Sequence, residues 1–264
     1  MSDTAQRLRL LKWRIVPTML LVAAASWFFL DPGFRSQKPS TGVATVIPND
    51  EFDRRVREYI LNNPEIVIEA VQRFEQRQRA RQENEANAVI SSRANEILRD
   101  KDSPVGGNPD GDVTLVEFFD YNCPYCRRVT PIMEHAEKAD PKLRVVYKEL
   151  AILGAGSVYS AKAALAAHKQ GKYLAFHKEL MLGQGVADES RVLEIAAKIG
   201  LDVERMKSDM DDPAIATAIE NNLALAQALR INGTPGFVIG DKIIRGAIDL
   251  KAMQALIRET REKL

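Results

Sequence analysis

The two cysteines of the chain lie close together, and their spacing is typical of a redox-active dithiol. Cys123 and Cys126 are the only cysteines among the 264 residues, and Pro124 and Tyr125 stand between them. Two thiols at this spacing on the first turn of a helix lie within bonding distance, so one can attack a disulfide and the other can resolve the mixed disulfide. A helix N-terminus favours the thiolate form of the first cysteine. The pattern predicts thiol–disulfide exchange, with Cys123 as the nucleophile and Cys126 as the resolving thiol.

Two other uses of the cysteine pair are open. An inert structural disulfide is the first, and half of a zinc site, which would need two further ligands, is the second. The chain has three histidines, His135, His168 and His177, and none of them forms a second paired motif near the cysteines. We therefore expect no metal and no cofactor.

Composition and charge exclude several classes of protein. Hydrophobic residues make up 45% of the chain and charged residues 28%, which excludes a collagen-like chain, a wholly disordered chain and a polytopic membrane protein. The formal net charge is only +1, whereas nucleic-acid-binding domains usually carry a strongly basic face. We therefore expect no nucleic acid as a partner.

Elements on both sides of the cysteines would position them. Residues 112–119 (DVTLVEFF) predict a buried strand that leads into the motif, and a helix is expected to start at Cys123. Residues 143–149 predict a second strand. The other predicted elements are an Ala-rich helical block at 157–230, strands at 236–239 and 243–245, and an amphipathic helix at 249–263. The helical block therefore interrupts a β-containing unit.

An acidic residue stands inside the first predicted strand. Glu117 lies six residues before Cys123 and is surrounded in sequence by apolar side chains. A buried carboxyl is costly unless it is paired or protonated. Glu117 is therefore either a buried acid next to the cysteine motif or a solvated residue at an exposed strand end.

The first residues have the pattern of an export signal. Four basic residues stand within residues 1–14, and residues 15–30 (IVPTMLLVAAASWFFL) form an uncharged apolar run. Small residues at 23–26 would suit cleavage, whereas the apolar residues that follow favour an uncleaved anchor. We predict that residues 1–31 are a signal anchor, with a signal peptide as the alternative. The basic flank would stay in the cytoplasm and the rest would be exported.

A linker and a helical arm follow this segment. Residues 32–49 are rich in Pro, Gly, Ser and Thr and predict a tether. Residues 50–100 predict helix, with an apolar stripe through residues 50–74 and a polar stretch from Glu75 to Asn87. The arm either packs back on its own domain or self-associates through residues 50–74, and the polar stretch favours self-association.

The order of these elements resembles the thioredoxin fold. The features that carry the resemblance are a strand leading into CPYC, a helix, a second strand, and a late Thr-Pro dipeptide before a β-hairpin. An inserted helical segment at about residues 152–230 resembles the DsbA family, and the arm sequence YILNNPEIVIEAVQ resembles the N-terminal extension of its ScsC-like branch. The resemblance covers residues 50–264. It implies an α/β thioredoxin fold with an inserted all-helical domain in residues 101–264, preceded by the arm and by the membrane anchor or signal.

The resemblance also assigns roles outside the cysteine pair. Glu117 matches the buried acid that relays protons to and from Cys126 in this family. Pro235 matches the cis-proline that lies against the cysteine motif, and the backbone of Thr234 would pair with a client chain by strand addition. The alternative for Pro235 is an ordinary trans proline in a turn that enters a strand.

Two positions depart from the pattern of the strongly oxidising members. Pro124 and Tyr125 would contact the client between the cysteines, and Tyr125 supplies no positive charge there. Thr234 stands where oxidase-type members usually have Val. These departures favour a reductase or isomerase, and a disulfide-donating oxidase is the alternative.

Together these features predict a periplasmic protein thiol–disulfide oxidoreductase, anchored in the inner membrane by residues 15–30. The expected partners are exported cysteine-containing proteins and a membrane redox partner. The alternative from another class is a non-catalytic chaperone or assembly factor. In that protein the arm and the helical block would bind clients and the disulfide would be structural.

Overall fold

The computed structural model describes residues 48–264. The predicted signal anchor, residues 1–31, and the predicted linker up to residue 47 lie outside the described residues. Within residues 48–264, no helix has the length and apolar character needed to cross a membrane. The chain divides into two compact units, with the boundary between Val67 and Ile68.

The first unit contains helix α1 (Asn49–Asn62). Asn63 ends this helix, because its backbone N–H and its side-chain Nδ2 both donate to the carbonyl of Tyr59, the latter at 2.7 Å. Among the residues of this unit that the structure describes, the exposed large apolar side chains are Phe52, Val56, Tyr59, Ile60, Leu61, Ile66 and Val67. A second helix, α2 (Glu65–Ser92), crosses the boundary into the second unit.

The second unit is built on a five-stranded mixed sheet. Its strands are β1 (Val105–Gly107), β2 (Val113–Phe119), β3 (Leu143–Glu149), β4 (Gly236–Ile239) and β5 (Lys242–Arg245). The strand order is β1-β3-β2-β4-β5, in which β2 and β3 are parallel and the other neighbours are antiparallel. The four strands predicted from the sequence are confirmed to within one residue at each end. The sequence did not predict β1, because two of its three residues are glycines.

Helices cover both faces of this sheet. They are α3 (Ala94–Leu98), α4 (Pro124–Ala139), α5 (Ala155–Lys169), α6 (Tyr173–Leu182), α7 (Glu189–Lys198), α8 (Val203–Met210), α9 (Pro213–Ala228) and α10 (Leu250–Arg261). Aspartate side chains cap the first turns of α7, α8, α9 and α10, namely Asp188, Asp202, Asp212 and Asp249. Helices α5 to α9 lie between β3 and β4 in the chain, so the helical block interrupts the sheet-forming segments.

Alternate residues of β2 enter two cores on opposite faces of the sheet. Leu115 and Phe119 belong to the larger core, which also contains the inner face of α4, whereas Val116 and Phe118 belong to the smaller core with α9. Glu117 alternates with Val116 and Phe118, so it lies on the face that α4 covers.

Part of the predicted arm also packs in the second unit. Ile90 of α2 and Ile97 of α3 are buried in the smaller core with Val116 and Phe118 of β2. These residues precede position 101, where the sequence placed the start of the domain. The core therefore extends into the end of the arm, because the apolar spacing that returns after Asn87 meets an uncovered face of the sheet.

Candidate active site

The cysteine motif lies at the N-terminus of α4. Cys123 is the N-cap residue, with extended backbone angles (φ −81°, ψ 117°), and the helix begins at Pro124. The predicted start at Cys123 is therefore wrong by one residue. Pro124 occupies the first helical position, where a missing N–H costs nothing. Cys123 thus stands beside the N–H groups of the first turn, which have no partner within the helix.

The two thiols lie in different environments. Both are free thiols, and Cys123 is 4% exposed whereas Cys126 is 0% exposed. Burial, with the negative charge of Glu117 as a second cause, raises the pKa of the Cys126 thiol well above its ordinary value. Cys126 therefore keeps its proton until a base removes it. The asymmetry suits attack by Cys123 and a later, base-assisted attack by Cys126.

The loop before β4 lies against the first cysteine. The Thr234–Pro235 peptide bond is cis, as the resemblance implies. The Sγ of Cys123 donates to the carbonyl oxygen of Thr234 at 3.2 Å. A side chain at Gly236 would collide with Ile231, so the glycine lets the loop fold back closely before β4 begins. The structure thus places the backbone of Thr234 where it borders the reacting sulfur.

Glu117 is the buried acid beneath the motif. It is 2% exposed, and its Oε1 has no hydrogen-bond partner among residues 48–264. Burial, with a smaller contribution from the charge of Glu137, raises the pKa of Glu117 to about 8. The alternative of a solvated carboxyl is wrong. A carboxyl that titrates close to neutral pH can exchange a proton with a neighbouring thiol.

A carboxylate between β2 and the motif connects it to the inserted helices. Asp120 is buried and accepts hydrogen bonds from the backbone N–H groups of Ile152 and Leu153 at 2.9 and 3.0 Å. It also accepts from the Ser157 hydroxyl at 2.7 Å and from the Asn122 N–H at 2.8 Å. One side chain therefore holds the cysteine loop, the segment after β3 and the start of α5.

Two further polar side chains complete this connection. Asn122 accepts from the N–H of Ala187 at 2.8 Å and donates to the carbonyl of the same residue at 3.2 Å. Arg127 donates to the carbonyls of Tyr121 and Gly183 at 2.9 and 2.8 Å. The loop after α6 is thereby attached to both ends of the cysteine motif.

A buried polar cluster lies behind the motif. The hydroxyls of Tyr121 and Tyr173 donate to Glu149 Oε1 at 3.2 and 2.7 Å, and the Tyr121 hydroxyl lies 3.3 Å from His177 Nδ1. Burial raises the pKa of Glu149 and lowers that of His177 to about 3. His177 is therefore neutral at physiological pH, and the cluster holds Tyr121 firmly two residues before Cys123.

Exposed apolar side chains on the cysteine motif and on the segments bonded to its flanking residues form the apolar surface of the site. They are Tyr125, Ile152, Leu153, Val158, Leu182 and Val186. The hydrogen bonds of Asp120, Asn122 and Arg127 hold the backbone segments that carry these side chains next to the motif. Tyr125 is 52% exposed, and the guanidinium of Arg128 lies 4.8 Å from the centroid of its ring. Tyr125 itself is uncharged, but the structure thus adds a cation beside it.

The sequence-predicted residues and the missed ones meet at one place. Cys123, Cys126, Glu117, Thr234 and Pro235 come together at the N-terminus of α4, with Pro124 and Tyr125 on its first turn. Sequence reasoning missed Asp120, Asn122 and Arg127. Their position in the sequence offered a signal, because polar residues that directly follow a buried strand and flank a nucleophile are candidates for holding that nucleophile in place. Within the described residues, no group of three or more His, Cys, Asp or Glu side chains is placed to hold a metal ion.

Two family descriptions match the chain. Residues 114–258 match the DSBA-like thioredoxin domain, and residues 49–81 match the copper resistance protein ScsC N-terminal domain. A solved thioredoxin-like oxidoreductase from Silicibacter pomeroyi is 48% identical with a TM-score of 0.63, and the match covers 64% of this chain and 97% of that one. A linker-deletion mutant of Proteus mirabilis ScsC is 29% identical with a TM-score of 0.64, and the match covers 85% of this chain and 100% of that one.

Curated relatives include proteins of two kinds. The thiol:disulfide interchange protein DsbA of Bordetella pertussis is 27% identical over 175 residues, which cover 60% of this chain and 82% of the relative. The Na(+)/H(+) antiporter NhaA of Herminiimonas arsenicoxydans is 31% identical over 159 residues, which cover 60% of this chain. The match covers only 25% of the length of that antiporter.

Proposed function

Because this chain belongs to the DsbA-like thioredoxin family, and within it to the ScsC-like branch, we propose that it reduces or isomerises disulfides in exported proteins. The observation that carries the proposal is the placement of a C-x-x-C dithiol at a helix N-terminus, with the Thr234 carbonyl 3.2 Å from the Cys123 sulfur. Cys123 borders the cis-proline loop, while Cys126 is buried in α4 close to the acid Glu117.

The reducing direction proceeds in two exchanges. The Cys123 thiolate attacks one sulfur of a client disulfide, a Cys123–client disulfide forms, and the other client sulfur leaves as a thiolate that takes up a proton. Cys126 then gives its proton to the Glu117 carboxylate and attacks the Cys123 sulfur. The mixed disulfide breaks, the second client sulfur leaves and is protonated, and a Cys123–Cys126 disulfide remains. A membrane redox partner would return two electrons to restore the dithiol.

Client binding would use backbone and apolar contacts together. The backbone of Thr234 is available to pair with an extended client segment beside Cys123, as in strand addition. Pro124 and Tyr125 lie on the client side of the cysteines, and the apolar surface around them suits the exposed apolar segments of misfolded clients. Such contacts select unfolded chains rather than one defined sequence, which agrees with a reductase or isomerase.

We expect the equilibrium reduction potential of the cysteine pair, measured against glutathione, to be at or below about −200 mV. Strong oxidants owe their potential to a stabilised dithiol form. Neither residue between the cysteines is charged, and the nearby Arg128 guanidinium lies against the Tyr125 ring, 4.8 Å from its centroid. A Tyr125→His variant is the matched control, and its potential should be less negative by on the order of 30 mV. A wild-type value near −120 mV would support the oxidase alternative instead.

We also propose a periplasmic location, with residues 15–30 as a tether to the inner membrane. The basic flank followed by an apolar run supports this location, and the proposed clients are exported proteins. A fusion of alkaline phosphatase after residue 264 should be active in a Gram-negative host. Loss of that activity on replacing Leu20 and Leu21 by arginine would agree with export through this segment.

The helical arm is proposed to join several chains through residues 50–74. Apolar side chains are exposed in both units over this range, including Phe52 and Tyr59 in the first and Val71 and Phe74 in the second. Exposed apolar side chains in such number are typical of an interaction surface. An assembly would present several cysteine pairs to one misfolded client.

Deleting residues 50–74 should therefore lower the mass per particle in light scattering to that of one chain, with insulin reduction retained. A double variant, Val56→Glu with Val71→Glu, should have the same effect because it places charges in the apolar stripe. An Arg57→Glu variant, which changes an exposed polar position, is the control and should keep the mass of the wild type. Equal mass with and without the arm would contradict self-association.

A further inference from the structure

Glu117 has to be ionised when Cys126 gives up its proton. On the proposed function, it takes a proton from Cys126 in each turnover and must release that proton before the next one. The carboxyl is almost fully buried, and no described residue provides a hydrogen-bond partner for its Oε1. Its charge state in each turnover therefore depends on the groups that are packed around it.

The structure offers one such neighbour across the sheet. Tyr147 is the register partner of Glu117 in the parallel β2–β3 pair, and both side chains lie on the face that α4 covers. The Tyr147 hydroxyl donates to Glu137 Oε1 at 2.6 Å. Glu137 lies three turns after Cys126 on α4, so it follows the same helix face that covers Glu117.

Glu137 and Tyr147 also reach solvent. They line an open cleft of about 200 Å³, together with Thr130, Glu134, His177 and Lys178 among others. A Cβ at Gly106 would lie 3.1 Å from Glu137 Oε1 and 3.0 Å from Tyr147 Cε2. Glycine in β1 therefore leaves the space that this carboxyl–hydroxyl pair occupies. The pair lies between the buried acid on one side and an open cleft on the other.

The charges around Glu117 make the two carboxyls interdependent. The titratable groups that face it are Cys126 and Glu137 of α4 and Tyr147 and Glu149 of β3, whereas β4 and α10 contribute apolar residues such as Phe237 and Met253. The negative charge of Glu137 raises the pKa of Glu117. Burial raises the pKa of Glu137, while the Tyr147 hydroxyl and the Gly107 N–H lower it. Ionisation of one carboxyl therefore disfavours ionisation of the other.

We propose that Glu137, oriented by Tyr147, is the positioning residue that governs when Glu117 can accept the proton of Cys126. Cys126 gives its proton to the Glu117 carboxylate, and this step is open only while Glu117 is ionised. A negative charge on Glu137, held in place by the Tyr147 hydroxyl, opposes that ionisation and so moves the step to higher pH. The inference rests on the proposed function, because it needs Cys126 to lose a proton.

The test follows the step in which Cys126 acts. A mixed disulfide between Cys123 and glutathione is formed on the full chain, and the rate at which Cys126 releases glutathione is measured from pH 5 to 9. The wild-type rate should rise with pH with a midpoint near the pKa of Glu117, about 8. In Glu137→Gln the midpoint should fall by about one pH unit, because the neighbouring negative charge is lost.

Two more variants keep the test decisive. Tyr147→Phe should move the midpoint in the same direction, since without the hydroxyl Glu137 stays neutral to higher pH. Glu179→Gln is the control, because Glu179 pairs with Lys198 at 2.6 Å and is not among the charges that act on Glu117 or Glu137, and its midpoint should equal that of the wild type. Identical midpoints in wild type, Glu137→Gln and Tyr147→Phe would overturn the inference. Failure of the wild type to release glutathione at any pH would instead contradict the proposed function.

Discussion

A Cys123→Ser variant is expected to lose insulin reduction by about a thousandfold or more, because a hydroxyl cannot replace the thiolate as attacking group at neutral pH. Cys126→Ser should behave differently. It keeps the nucleophile, so Cys123 still attacks the client, but the mixed disulfide cannot be resolved and should accumulate. The contrast follows from the positions of the two sulfurs, one at the Thr234 carbonyl and the other buried in α4.

Insulin turbidity measures the first variant, and non-reducing electrophoresis with mass spectrometry measures the adduct of the second. Thermal unfolding of both variants is the control for folding. A Cys123→Ser variant with wild-type rates would favour the non-catalytic chaperone, in which the cysteines are structural. An adduct on Cys123→Ser and none on Cys126→Ser would reverse the assigned roles.

Replacing Glu117 by glutamine should stabilise the folded protein and at the same time slow the attack of Cys126 on the mixed disulfide. The ordinary pKa of this carboxyl is 4.5 and the folded value is about 8, so the unfolded chain releases the proton at lower pH than the folded one. The stability contribution of the neutral carboxyl is complete below pH 4.5 and is lost as the pH rises towards 8. At pH 7 the variant should be more stable by about 3 kcal/mol, since 1 pKa unit corresponds to about 1.4 kcal/mol.

Urea unfolding at pH 4, 7 and 8 measures this difference, which should vanish near pH 4. Glu179→Gln, which removes a carboxyl that pairs with Lys198 at the protein surface, is the control and should not change the pH dependence. The same variant should slow the release of glutathione by Cys126 about a hundredfold, because the base that accepts its proton is lost. Parallel pH dependence of stability in wild type and Glu117→Gln would contradict a buried neutral carboxyl.

Much of the fold around the site followed from patterns of adjacent residues. The run DVTLVEFF is β-branched and aromatic, and it is β2 in the structure. The proline after Cys123 and the two-residue cysteine spacing indicated the start of a helix, and α4 begins one residue later than expected. Strand β1 escaped prediction, because a short glycine-rich segment becomes a strand only where it pairs with an existing edge, here β3.

The supporting residues of the site were less accessible to sequence reasoning. Asp120 and Asn122 bind backbone groups more than 30 residues away, at Ile152, Leu153 and Ala187. Such contacts depend on how the inserted helices pack on the sheet, and a local sequence pattern does not specify that packing. In the sequence Tyr147 resembles any other aromatic residue of a strand. Only the structure shows that its hydroxyl donates to Glu137.

The sequence by itself determined the chemistry of the dithiol, the order of the elements and the presence of an acid in β2, because spacing and periodicity are properties of neighbouring residues. Only the tertiary structure decided which thiol borders the Thr234 carbonyl and that Glu117 is buried with a raised pKa. The physical reason is that burial and proton affinity depend on what covers a side chain. For Glu117 the cover is α4, which also brings Glu137 close enough to influence it.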